Sequence, residues 1–345
     1  MKTNTYSSYS PNVNFIKFIA ATMVILSHAF PLASGSSDKE WFNILTNNQY
    51  TMGGIAVAVF FFYSGLLITK SLEKNSKLKH YTVNRLVRIL PPLMAVVVLS
   101  AFLLGPLTTS LSASKYFTNS GTWRYLLNGI LVLNYNLPGV FENNVYPNAV
   151  NGSLWTLPLE ALGYIICYIM FRLRLTQKKP MKILMVLAFP CTLAVMVLSK
   201  YIALGVVYSM VLPVLMFFAG MFYYLLRDEI PMNIKYFILG ILIILVTNFT
   251  GTLLLGLFIA FPYILAYIGF SCKKLPDLLG NLGKISYGIY LCAFPIQQCL
   301  VYVFGGSMNI WLNMLLSVPL SMLGGWLLYW GIEEKINDKM KKVKL

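Results

Sequence analysis

"NFIKFIAATMVILSHAF", residues 14–30, decides the fold. The run is apolar and long enough to begin a membrane-spanning helix, yet it carries Lys17 and His28. These two are eleven residues apart, and eleven steps of about 100° return the second to within about 20° of the first. They share one face, with His28 about 16 Å further along the axis. The run is too long and too polar at Lys17 for the core of a cleaved secretory segment, and "LASGSS" after it is a weak cleavage match, so a retained first helix is expected.

The rest of the chain agrees. Of 345 residues, 58% are hydrophobic and 11% charged, where soluble domains carry about 25% charged residues. Apolar runs of spanning length lie near 13–33, 52–70, 89–109, 153–171, 183–199, 202–226, 236–250, 253–271, 285–304 and 310–331. The expectation is an all-α, polytopic membrane protein of about ten helices, with residues 1–345 forming one integral domain.

The net charge of +16 does not indicate nucleic acid, because the basic residues gather in alternate loops. Lys70, Lys74, Lys77, Lys79, Arg85 and Arg88 form one group, Arg172, Arg174, Lys178, Lys179 and Lys182 a second, Lys273, Lys274 and Lys284 a third, and Lys335 to Lys344 the tail. Only Lys39, Lys115, Arg124 and Lys200 fall on the opposite side. This positive-inside bias places both termini in the cytoplasm. The five cysteines are odd in number and form no CxxC pair, which argues against a disulfide framework and a zinc site, and they read as packing residues.

The largest segment outside the spans runs over 110–151. Within it "WRYLLNGILVLNY", 123–135, is too short to cross about 30 Å of hydrocarbon, and reads as an interfacial or re-entrant helix. The following "LPGVFENNVYPNAVNGSLW" reads as an ordered outer loop. Its Asn and Tyr side chains either meet polyhydroxylated ligands or simply populate a membrane edge.

Ionisable groups inside a bilayer cost at least about 2.5 kcal/mol and so mark function by default. Lys17 is either a site residue or a side chain snorkelling to headgroups. His28 and Glu160, the latter in "NGSLWTLPLEALGYII", count to similar depth from the outer ends of their helices. A catalytic pair and two satisfied interhelical groups are both open. His80, in a basic stretch, reads as solvated. In "YTVNRLVRILPPL", 81–93, Arg85 and Arg88 project together from a helix, suited to phosphate oxygens of a cofactor or of lipids. In "VAVFFFYSGLLITKSL", Ser64 and Gly65 lie deep in the second span, where small residues serve close packing or, for Ser64, the chemistry itself.

Taken in order, these stretches resemble acyltransferase family 3, the membrane-bound O-acyltransferases that modify bacterial surface glycans. The likeness rests on a basic residue, ten residues, then histidine (Lys17 to His28, with Lys for the more usual Arg), on "FFFYSGLLITKSL", the RxxR of "NRLVRILPP", "NGSLWTLPLE", and "ISYGIYLCAFPIQQ" at 285–298. It covers nearly the whole chain. The resemblance implies acetyl-coenzyme A as donor, bound from the cytoplasm with Arg85 and Arg88 near its phosphates and Lys17 and Ser64 lining its path. The acceptor would be a hydroxyl of an extracytoplasmic polysaccharide or lipid-linked sugar, and the site bacterial inner membrane. His28 would be catalytic, with Lys17 and Glu160 in support and no metal. Where the family often has histidine in its last block, this chain has Ala293. An imidazole suits the removal of a hydroxyl proton near neutral pH, or would carry the acetyl group itself. The rival classes are a secondary transporter or flippase with Lys17, His28 and Glu160 as an ion relay, and a non-catalytic membrane partner.

Overall fold

Without water to satisfy them, backbone amides in hydrocarbon must bond within their own segment, and every apolar run identified above folds as a helix. The computed structural model describes residues 10–199 and 201–343, with backbone alone for 341–343. Lys200, Lys344 and the chain ends, which enter the charge pattern, lie outside them. The ten long helices are α1 (Pro11–Ser34), α2 (Met52–Lys74), α3 (Leu78–Leu99), α4 (Thr156–Arg172), α5 (Lys178–Leu198), α6 (Val206–Leu225), α7 (Ile234–Phe249), α8 (Leu253–Phe270), α9 (Ser286–Val303) and α10 (Ile310–Leu328). No strand forms among the described residues, only two isolated bridge pairs. Among the described residues eight helical stretches are long and apolar enough to cross a membrane, which makes this a multi-pass membrane protein. The other two are α7, whose 16 residues rise about 24 Å, and α9, diluted by polar side chains.

The third span begins earlier than its hydropathy suggests. Helix α3 starts at Leu78, so His80, Arg85 and Arg88 all ride on it. His80 is partly buried and lies 3.2 Å from the Asn84 amide one turn on, a helix contact rather than a solvated side chain. At its far end α3 widens into a π turn, Ser100–Leu104, before Gly105–Thr108. The Ala101 carbonyl in this widened turn accepts from the Tyr116 hydroxyl at 2.8 Å.

The chain divides into two compact units. The first takes residues up to Ala20, Trp41–Lys77 and Glu160–Gly283; the second takes Ala21–Glu40, Leu78–Leu159 and Lys284 onward. Both α1 and α4 therefore contribute to each.

In the first unit α2 and α6 cross at contact between backbones. A methyl at Gly65 would overlap the Phe217 carbonyl, and one at Gly220 would overlap that of Phe62. Gly65 is thus the packing residue of its pair. The start of α1 is clamped by Asn12, which donates to the Ile268 and Lys273 carbonyls and accepts from Leu275 N. Helix α5 leaves Val186, Leu187 and Val197 bare for lipid. Cys191 and Cys272 are likewise exposed, so the packing expected of the cysteines holds for buried Cys167 and not for these two.

In the second unit α9 and α10 approach at Gly288 and Gly325, where either methyl would meet the other helix's backbone. The 109–151 segment contains short helices at Ala113–Thr118 and Ser120–Tyr125, and a tight turn that ends at Leu131 in the left-handed region. The remainder is tied by bridges between Thr109 and Val140 and between Asn136 and Ala149. Gly139, at φ +71°, lets the chain turn against Thr109, where a side chain would not fit.

Candidate active site

Within the second unit, His28 directly precedes Ala29 and Phe30, which form a small apolar cluster with Met314. Its ring meets Phe294 of α9 edge-on, with centroids 5.4 Å apart. The side chain is partly exposed, while Nδ1 is buried and has no hydrogen-bond partner. Buried polar atoms in native structures are nearly all paired, and Nδ1 of His28 is one of the exceptions here.

What holds α1 here is polar. Gln297, wholly buried, donates from Nε2 to the Ile25 carbonyl and to Asn313 Oδ1, both at 2.9 Å. The adjacent Gln298 donates to the Tyr146 and Ala149 carbonyls at 2.8 Å and is itself held by Asn144. Asn151 donates to the Leu291 carbonyl at 2.9 Å. Asn128 satisfies three groups of its own loop. The buried amide groups of Asn128, Asn144 and Asn151 thus donate mainly to backbone carbonyls, while Asn136, Asn143 and Asn148 are exposed. The position of the family's second histidine, Ala293, is fully buried.

Arg85 and Arg88 lie on α3 as the spacing implies, the first partly buried and the second exposed. Glu333, in the π turn Tyr329–Glu333 after α10, is near enough to Arg88 to feel its charge. Asn84 and Val87, from the same stretch of α3, line a cavity of about 270 Å³ together with Tyr329, Glu334, Asn337, Asp338 and Met340. Glu334 and Asp338 give this cavity an acidic lining, which disfavours a phosphate inside it.

Within the first unit, Glu160 and Ser64 come together although they are 96 positions apart. Ser64 Oγ donates to Glu160 Oε1 at 2.8 Å. Tyr164 donates to the same oxygen, and its hydroxyl lies 3.0 Å from Ser64 Oγ. Tyr164 was legible only as the i+4 neighbour of Glu160 on α4, and Phe294 and Gln297 only as members of an apolar block. Lys17, in this unit's part of α1, is 8% exposed. That is too little for a side chain reaching out to headgroups, and it engages protein groups instead. Among the described residues no group of three or more His, Cys, Asp or Glu is placed to hold a metal ion.

A family model described as an acyltransferase domain matches residues 10–330, across both units. The chain is 28% identical to an O-acetyl transferase of Shigella phage Sf6 over 92% of its own length and 93% of that protein's. No solved structure matches it.

Proposed function

This chain belongs to the acyltransferase family whose model spans it, acyltransferase family 3, and from that premise we propose that it moves an acetyl group from cytoplasmic acetyl-coenzyme A to a sugar hydroxyl beyond the membrane. The acceptor is an extracytoplasmic polysaccharide or a lipid-linked precursor, the setting the bacterial inner membrane, with both termini cytoplasmic and the whole chain acting as one catalytic domain. The phage relative named an O-acetyl transferase supports the acetyl group and the oxygen acceptor.

The observation that carries the reading is the unpaired Nδ1 of His28 in a side chain that is not sealed. The imidazole takes the proton of the acceptor hydroxyl, the oxygen attacks the thioester carbonyl, the carbon–sulfur bond breaks, and the imidazolium returns its proton to the departing thiolate. Arg85 and Arg88 grip the donor's phosphates, guanidinium being suited to paired phosphate oxygens. Lys17, buried on the face it shares with His28 but about 16 Å along the axis, lies too far from the reacting carbonyl to touch it and is proposed to line the donor's path towards the imidazole. Glu160 is proposed as a further catalytic carboxylate, and Ser64, whose hydroxyl donates to it at 2.8 Å, as a residue binding the acetyl donor.

The test is His28→Ala. With the protein still inserted and monodisperse in detergent, transfer of label from acetyl-coenzyme A to membrane glycans should fall to background, and mass spectrometry of the surface glycan should lose its acetyl increments. Normal acetylation by that variant would eliminate the mechanism.

A further inference from the structure

We propose that Tyr164, with Ser64, is a positioning residue that fixes Glu160 so that a single carboxylate oxygen, Oε2, is presented to the reaction. This rests on the reading above in which Glu160 takes part in the transfer.

Three oxygens from two helices meet at one point. Ser64 Oγ and the Tyr164 hydroxyl both donate to Glu160 Oε1, and the two hydroxyl oxygens approach to 3.0 Å. Each hydroxyl has one proton to give, so with both protons on Oε1 the edge between Ser64 and Tyr164 carries none. Oε2 makes no hydrogen bond in the structure, and it is not among the buried unpaired atoms. One oxygen is spent and the other is free.

The hydroxyls are themselves held on rigid backbone. Ser64 precedes Gly65, where α2 touches α6 at the Phe217 carbonyl. Tyr164 is 4% exposed, its ring tilted on Phe217 with centroids 6.4 Å apart. Gly163 beside it leaves room for the same phenylalanine. Phe217 thus supports both donors. A carboxylate left to itself rotates about its last torsion in a broad, two-fold well. Two donors on one oxygen remove that freedom, and supporting contacts of this kind are what hold a reacting group to its working geometry.

Tyr164→Phe keeps the ring on Phe217 and removes only the hydroxyl. In the full-length enzyme in detergent or nanodiscs, kcat should fall about tenfold, the scale of one hydrogen bond. KM for acetyl-coenzyme A should move less than about twofold, with the unfolding midpoint unchanged. A merely structural tyrosine would lower the midpoint and the amount of active enzyme without that split. Ser64→Ala should behave alike, and the double variant should lose more than the product of the two, because either donor alone still restrains the carboxylate.

Wild-type kcat in Tyr164→Phe, while His28→Ala is dead, overturns this proposal and leaves the acetyltransferase reading standing. An impaired Tyr164→Phe beside a fully active Glu160→Gln overturns it too, since the effect would not pass through Glu160. Absence of acetyl transfer by the wild type removes both together.

Discussion

The crossing of α2 and α6 gives the sharpest quantitative prediction. Gly220 faces the backbone of Phe62 and Leu66, and the Cβ of an alanine there would lie 2.8 Å from Leu66 N and on top of the Phe62 carbonyl oxygen. Ordinary contact needs 3.4 Å or more. Both obstacles are backbone, so no rotamer change relieves the overlap, and the helices have to part by on the order of 1 Å. Overpacking of this kind costs about 1–3 kcal/mol, and a rigid obstacle on either side puts Gly220→Ala near the upper end. For a chain of this length that is a fall of roughly 3–5 °C in thermal midpoint. Gly331→Ala is the matched control, because nothing lies within 4 Å of the added carbon. The assay is intrinsic tryptophan fluorescence and size-exclusion recovery after heating in one detergent. Gly65→Ala should cost as much as Gly220→Ala and should also lose activity before it unfolds, since Ser64 moves with it. A Gly220→Ala protein as stable as Gly331→Ala would refute the reasoning.

Two further outcomes follow from the polar contacts. Gln297→Leu keeps the volume of a buried side chain but leaves Asn313 Oδ1 without its donor; the Ile25 carbonyl keeps its bond within the helix, so the cost should be about 1–2 kcal/mol, read as a lowered midpoint by the same assay. Glu229, between α6 and α7, bonds Lys178 at 2.7 Å and Lys182 at 2.8 Å, and hydrogen bonds from both hold its carboxyl down to about 2. A lowered folded-state value means a contribution present above the usual 4.5 and lost as pH falls towards 2. Glu229→Gln should therefore lower the midpoint slightly at pH 7 and make no difference at the acid end of a pH series.

How much of this was legible depends on the range of the interaction concerned. The helices follow from local hydropathy, and the shared face of Lys17 and His28 follows from the pitch of a single helix. Tyr164 also lay within reach, four residues from Glu160 on the same helix. The start of α3 was misjudged because its first turns are basic; a hydropathy window ends there, whereas the helix continues as an amphipathic segment outside the apolar span. The meeting of Ser64 with Glu160 was not legible at all. It depends on where α2 and α4 stand, and no pattern local to either helix encodes that. The two glycines that set the crossing are visible in sequence, but their mutual address is not.

The same distinction explains the asparagine-rich loop. The segment over 110–151 buries Tyr116, Tyr125 and Phe141, and its backbone is held largely by hydrogen bonds from amide side chains rather than by strands. Two neighbouring glutamines on α9 carry the consequence for chemistry. Gln297 grips α1 at Ile25, within one turn of His28, and Gln298 grips the loop at Tyr146 and Ala149. Between those grips Phe294 lies edge-on to both rings, 5.4 Å from His28 and 6.2 Å from Tyr146. Tyr146 is 39% exposed, so one aromatic ring separates the loop surface from the imidazole. On the proposed reading, an acceptor seated on that surface would stand at a distance from His28 set by these two grips, because loop and helix are fastened to adjacent residues of one helix. Loosening either glutamine changes that distance even when every group that touches the substrate is intact. The Gln297→Leu protein should for this reason lose more activity at 25 °C than its modest loss of stability accounts for, whereas a protein that is fully active until it melts would show that the two anchors are independent of the chemistry.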